Sequence, residues 1–219
     1  YAASYSAAIA AIGKAAGNEP LPNRPGISVK LSALHPRYEW LSRERVMREL
    51  VLVLLRLAQE AKSYDMNFTV DAEEADRLEL SLDVIAAVFA DPSLANWDGF
   101  GLAIQAYQKR AFDVIEWIDN LAAHHNRRMM VRLVKGAYWD SEVKRAQERG
   151  LDDYPVFTRK QNTDVSYLAC ATLMLDAPDV IYPQFATHNA QTVASILSRA
   201  RSRGRAFEFQ RLHGMGEEL

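Results

Sequence analysis

Short apolar runs alternate along the chain with longer stretches in which apolar residues return every three or four positions. The first pattern is that of buried strands and the second that of amphipathic helices. Residues 27–31, 67–72, 100–106, 129–134, 180–187 and 206–212 read as strands. Residues 43–63, 75–90, 111–124, 141–149, 163–175 and 190–203 read as helices between or after them. Ser42 is the expected N-cap of the first of these. In 111–124 the stripe Phe112, Ile115, Ile118 and Leu121 is expected to face the core. An alanine-rich segment, residues 2–17, reads as a further helix closed by Gly17, and the three-proline stretch 18–26 as a loop.

Strands alternating with helices imply parallel pairing and an α/β fold. A doubly wound sheet often carries Gly-x-Gly-x-x-Gly after its first strand, whereas here that strand runs into Ser-Ala-Leu-His-Pro. In a (β/α)8 barrel the chemistry sits where the strands end. Here the predicted strands end on Lys30 and Ser32, Asp71 and Glu73, Gln105, Arg132 and Lys135, Thr187 to Asn189, and Gln210 with His213. The expectation is therefore a TIM-like (β/α)8 barrel. A whole barrel takes about 250 residues, so a chain of 219 is expected to be truncated before the last strand–helix units. The expected division is 1–26 as N-terminal helix and linker and 27–219 as an incomplete barrel. The start at Tyr1 and the end at Gly-Glu-Glu-Leu read as cuts through a longer protein.

Composition narrows the function. With 49% hydrophobic residues, 25% charged and a net charge of −2, this is an ordinary globular core with no basic surface for nucleic acid. The longest apolar runs, such as 51–55, are far too short to span a bilayer. The one cysteine, Cys170, allows no internal disulfide and is expected in a helix core.

Residues 131–140, Val-Arg-Leu-Val-Lys-Gly-Ala-Tyr-Trp-Asp, are the richest in chemistry. A strand delivers Arg132 and Lys135, Gly136 permits a close backbone approach, and Tyr138 and Trp139 suit a flat ring. Two cations there fit an anionic or electron-accepting cofactor, or else salt bridges to carboxylates. Asp71 is a base, a ligand anchor, a salt-bridge member or the cap of the next helix. Lys30 is a Schiff-base amine, a clamp for a carboxylate or part of an ion pair. Asn189 or His188 caps the following helix, whose start would favour a phosphate, while residues 154–160, with an aromatic and two cations near a helix start, offer either a phosphate site or a solvated helix end. No metal site is expected: residues 28–32 lack a His-x-His pair, although His188 and His213 are ligand types.

Seven segments then occur in order. They are Val29-Lys-Leu-Ser-Ala-Leu-His-Pro, Val70-Asp-Ala-Glu-Glu-Ala-Asp-Arg, Ala103-Ile-Gln-Ala-Tyr, Arg132-Leu-Val-Lys-Gly-Ala-Tyr-Trp-Asp, Phe157-Thr-Arg-Lys, Tyr182-Pro-Gln-Phe-Ala-Thr-His-Asn and Phe209-Gln-Arg-Leu-His-Gly-Met-Gly-Glu. Together they resemble the proline dehydrogenase domain of the bacterial bifunctional PutA proline utilisation family, from about Pro25 onward. The resemblance implies a distorted barrel that binds FAD and oxidises L-proline to Δ1-pyrroline-5-carboxylate by hydride transfer, on the route to glutamate. It places Arg132 by the flavin N5 and Gln105 on the pyrimidine edge. Val134, Gly136, Ala137 and Trp139 would line the ring system. Thr158, Lys160, Thr187, His188 and Asn189 would hold the ribityl, pyrophosphate and adenosine parts, and Gln210 the adenine side. Lys30, Asp71, Tyr138 and Leu212 would face proline, with Lys30 at its carboxylate and Asp71 near its amine.

The same resemblance implies a membrane quinone as electron acceptor and a fused aldehyde dehydrogenase domain. It also implies a cytoplasmic protein able to associate peripherally with the inner face of the cell membrane. The family's arginine pair for the substrate carboxylate, and a tyrosine against the proline ring, would fall after Leu219. The expectation is that residues 1–219 alone have little or no activity. A lyase-type barrel using Lys30 or Lys135, and a non-enzymatic interaction surface, are the competing readings.

Overall fold

A computed structural model describes residues 1–177 and 179–216. Glu217, which closes the last of the seven segments, and the terminal Glu218 and Leu219 lie outside the described residues. The chain forms two compact units, Tyr1–Leu102 and Ala103–Leu219.

The first unit opens with α1 (Ala2–Ala15), then β1 (Gly26–Val29), a single helical turn α2 (Leu31–Leu34) and the long α3 (Arg43–Ser63). β2 (Asn67–Val70), α4 (Leu78–Phe89) and the start of β3 (Phe100–Gln105) follow. Val46, Leu50, Leu54, Leu57, Ala58 and Ala61 form the buried stripe of α3, the spacing that one face of a helix requires. α1 packs on α3. A Cβ on Gly13 would stand 2.3 Å from Cγ of Tyr64, so this contact has room only for glycine. β1, β2 and β3 pair in parallel, with Ile27, Phe68 and Phe100 abreast. Phe68 and Phe100 stack at 6.0 Å, and Phe89 of α4 meets Phe100 at the same distance.

The second unit continues with α5 (Ala111–His124), β4 (Met129–Val134), α6 (Trp139–Glu148), α7 (Lys160–Asp176), β5 (Ile181–Ala186), α8 (Ala190–Ala200) and β6 (Glu208–Gln210). β4, β5 and β6 pair in parallel. One face, with Val131, Leu133, Pro183, Phe185 and Phe209, is apolar: Phe185 is fully buried and lies 6.2 Å from Phe209 and 5.7 Å from Phe207. α7 packs on β4 and β5, and its Tyr167 hydroxyl sits 3.1 Å from the carbonyl oxygens of Leu133 and Ala186.

Along the sheet the strand order is β1-β2-β3-β4-β5-β6. A doubly wound sheet reverses its order at a switch point; this one runs in chain order throughout. Among the described residues no helix is long and apolar enough to cross a membrane.

Several expectations need correction. The first strand stops at Val29, and Leu31 is buried through a helical turn instead. That turn is favoured because the Glu73 carboxylate accepts the Ser32 backbone N–H at 3.0 Å. The expected strand 206–212 contracts to Glu208–Gln210, and the helix expected from Thr163 begins at Lys160. Ser42 occupies the N-cap position of α3, but its side chain makes no capping bond; it donates to Glu39 at 3.4 Å. The buried stripe of α5 is Ala111, Val114, Ile115, Ile118 and Ala122. Phe112, 41% exposed, lies off that stripe, because three-residue steps drift around a helix of 3.6 residues per turn.

Candidate active site

Register builds the richest cluster, and it lies in the second unit. Arg132 of β4 pairs with Gln184 of β5, which pairs with Glu208 of β6. Alternation along a strand therefore sets these three side chains on one face, and Gln210, two residues on, joins them. The Arg132 guanidinium donates from Nε to Gln210 Oε1 at 2.6 Å. The Gln210 amide donates to Glu208 Oε1 at 2.6 Å, and the Gln184 amide donates to the same oxygen at 3.0 Å. Gln184 is buried, and its Oε1 has no hydrogen-bond partner among the described residues. Burial, assisted by the Glu208 charge, pushes the Tyr182 phenol up against the opposing pull of Arg128.

Beyond the end of β4 the backbone turns at Gly136, whose φ is +139°. A Cβ there would fall 2.5 Å from the Tyr107 ring, so a side chain is excluded by both conformation and space. Gln105, at the end of β3 and buried, accepts the Ala137 backbone N–H at 3.1 Å. Gly136 and Ala137 are exposed. Trp139, at the start of α6, donates its indole N–H to Phe157 O at 3.0 Å and leaves 43% of its surface open. Gln105 thus buttresses an exposed stretch of backbone beside a half-open aromatic ring.

The cations of this region have different surroundings. Lys135 meets Asp164 of α7 at 2.5 Å, and Lys160 meets the other carboxylate oxygen at 2.6 Å. Burial works against the charged form of Asp164, yet the two lysines hold its carboxyl below the usual range. Lys135 therefore takes the salt-bridge reading, which removes support for it as a Schiff-base amine. Thr158 and Lys160 are exposed at the start of α7. At the start of α8, Asn189 is the cap: its Oδ1 accepts from the Thr192 backbone N–H at 2.9 Å and from the Thr192 hydroxyl at 3.1 Å. Thr187 is buried and its hydroxyl accepts the Asn189 N–H at 3.2 Å. His188 Nε2 accepts the Leu212 backbone N–H at 2.9 Å, and Leu212 itself is 64% exposed.

In the first unit, Lys30 and Asp71 follow β1 and β2. The Lys30 backbone N–H donates to the Tyr5 hydroxyl at 3.2 Å, and its side chain is exposed. The Asp71 N–H donates to Val29 O at 2.9 Å. The next helical turn is Ala75–Arg77, with Glu74 in the N-cap position, so Asp71 is not the cap of that turn. Glu73 instead binds both Ser32 and Arg77. Among the described residues no group of three or more His, Cys, Asp and Glu could hold a metal ion. Cys170 is fully buried in α7, which pushes its thiol up.

Sequence reasoning passed over Gln184, Glu208 and Asp164. The first two carried a signal: a polar residue at alternating positions within an otherwise apolar strand, as in Tyr182-Pro-Gln-Phe and Glu208-Phe-Gln. Asp164 carried none, since on an amphipathic helix it looks like any solvated acid.

Parallel strands in chain order, with charged and amide side chains gathered on one face of β4, β5 and β6, define an α/β protein with an enzyme-type site. The chain matches the proline dehydrogenase family over residues 1–219, and it belongs to that family. It is 56% identical over 221 residues to the bifunctional protein PutA of Klebsiella aerogenes, and 55% identical over 221 residues to that of Escherichia coli strain K12. In both cases the whole of this chain is covered and 17% of the relative, so the chain spans about a sixth of their length. A solved variant of proline utilization A from Bradyrhizobium japonicum superposes with a TM-score of 0.96 at 70% identity, over 99% of this chain and 22% of that one.

Proposed function

We propose that this chain carries FAD-dependent proline dehydrogenase chemistry, the oxidation of L-proline to Δ1-pyrroline-5-carboxylate. The observation that carries the reading is the rim of the second unit. Arg132 projects from β4 with its guanidinium fixed, beside exposed backbone at Gly136 and Ala137 that Gln105 buttresses. A flat ring fits a surface from which side chains are excluded at Gly136 and to which Trp139 adds an open aromatic face.

Arg132, Gln105, Val134, Gly136, Ala137 and Trp139 would hold the ring system, and Thr158, Lys160, Thr187, His188 and Asn189 the remainder of FAD. When bound, FAD would supply the acceptor for the hydride leaving proline C5, with a membrane quinone as the final electron acceptor. Arg132 contributes a fixed positive charge, which favours the arriving electron density. Lys30 is assigned to the substrate carboxylate. Asp71 takes the proton from the proline nitrogen, so that the lone pair can assist the C–H cleavage. Tyr138 and Leu212 are assigned to the proline ring. We assign the whole protein an eight-stranded barrel, a second aldehyde-oxidising domain and a place at the inner face of the cell membrane.

The test is reconstitution of the full-length protein with FAD, followed by bleaching of the flavin absorbance on addition of proline. Arg132→Met is expected to lower kcat about 10²–10³-fold, the loss typical when one preorganised charge donor is removed. Asp71→Asn is expected to lower kcat/KM and to alter its acid limb. Proline turnover by both variants at the unsubstituted rate would refute the assignment. Residues 1–219 alone are expected to bind FAD weakly and to turn over proline little; full activity of that preparation would refute this part.

A further inference from the structure

We propose that Gln210 and Glu208 are positioning residues that fix the Arg132 guanidinium, and that through it they tune the reduction equilibrium of the bound flavin. The inference rests on the reading above, in which Arg132 lies beside the flavin, and it moves Gln210 from the adenine side, where the resemblance put it, to the flavin end.

The chemistry of the three groups leaves one orientation. A guanidinium has only donors, so the Gln210 atom 2.6 Å from Arg132 Nε is the carbonyl oxygen. The amide nitrogen must then face the other way, where Glu208 Oε1 accepts at 2.6 Å. A carboxylate has only acceptors. A donor-only group at one end and an acceptor-only group at the other therefore lock the Gln210 amide. Gln184 donates to the same Glu208 oxygen at 3.0 Å, which holds the carboxylate from the neighbouring strand. The register makes this arrangement rigid: Arg132, Gln184 and Glu208 stand abreast on three paired strands. Such a side chain, braced through a second group, loses geometry when its brace is removed even though it touches the same ligand.

The test uses the flavin-loaded full-length protein and reads the flavin reduction equilibrium against a redox dye, together with the flavin visible spectrum. Arg132→Met is expected to shift the equilibrium toward oxidised flavin by about tenfold, about 30 mV for a two-electron couple. Gln210→Leu and Glu208→Leu are expected to shift it the same way by about threefold. Glu208→Gln, which keeps an acceptor oxygen for the Gln210 amide, is expected to restore the unsubstituted value. In the Arg132→Met background, Gln210→Leu is expected to add nothing. If Gln210→Leu does not fold, Gln210→Met, of similar length and without the amide, carries the same expectation.

A silent Gln210 or Glu208→Leu beside a shifted Arg132→Met overturns the positioning role and leaves the flavin reading standing. An equal Gln210 effect with and without Arg132 also overturns it, because the influence then does not pass through the guanidinium. An Arg132→Met protein with unchanged equilibrium and spectrum overturns the flavin reading itself.

Discussion

The two faces of the β4–β5–β6 sheet are made by the same three strands and are stabilised in opposite ways. On the face that α7 covers, Leu133 and Phe185 need only shape and an apolar neighbour. On the other face Arg132, Gln184, Glu208 and Gln210 need partners of stated polarity at stated distances. Burying an apolar ring is favourable against almost any apolar neighbour, about 1.5–3 kcal/mol for a large side chain. Burying an amide or a charge is favourable only when each donor meets an acceptor. Stability is thus concentrated on one face and orientation on the other.

The difference is sharpest under substitution. Phe185→Ala is expected to destabilise the fold by about 3–5 kcal/mol, the usual cost of an emptied aromatic site, measured by urea unfolding. Flavin properties of the folded fraction should stay unchanged. A loss below about 1 kcal/mol would show that the apolar face is not where stability resides. Tyr167→Phe tests a polar contact that enters that face, the hydroxyl lying between the carbonyls of Leu133 and Ala186. Its loss is expected to cost about 1–1.5 kcal/mol in the same assay.

Asn189→Ala removes the cap of α8 and is expected to cost about 1 kcal/mol, while Asn189→Asp, which keeps the accepting oxygen, should cost less. The smallest effect concerns Asp164. Its folded carboxyl titrates below the ordinary range because Lys135 and Lys160 outweigh its burial. The stability this brings is complete above the ordinary carboxylate range, about pH 4, and is lost as pH falls through the lower folded value. Urea midpoints measured downward from pH 6 should therefore fall less steeply for Asp164→Asn than for the unsubstituted protein. Identical slopes would show that the ion pairs exist without coupling to folding.

Much of this was readable in the sequence. The types of the six strands and their helices follow from local periodicity, and 111–124 and 129–134 coincide with α5 and β4 to the residue. Gln105, Gly136 and Asn189 were visible because each ends a strand or opens a turn or helix, and Arg132 because it is a cation within an otherwise apolar strand. The turn at Leu31 was not, because its stabilising acceptor, Glu73, is 41 residues away. Phe112 was misassigned for a different reason, since a step of three residues fits a helix only over a short distance.

The sequence by itself determined which segments are strands or helices, their order, and which strand ends carry charge, because periodicity and capping act between residues a few positions apart. Only the tertiary structure decided that Arg132 is held by an amide 78 residues on and Lys135 by a carboxylate on a neighbouring helix. Two cations three residues apart are alike as letters. They differ once register and packing bring a distinct acceptor within hydrogen-bond reach of each, and that choice is made by contacts between strands and helices far apart in the chain.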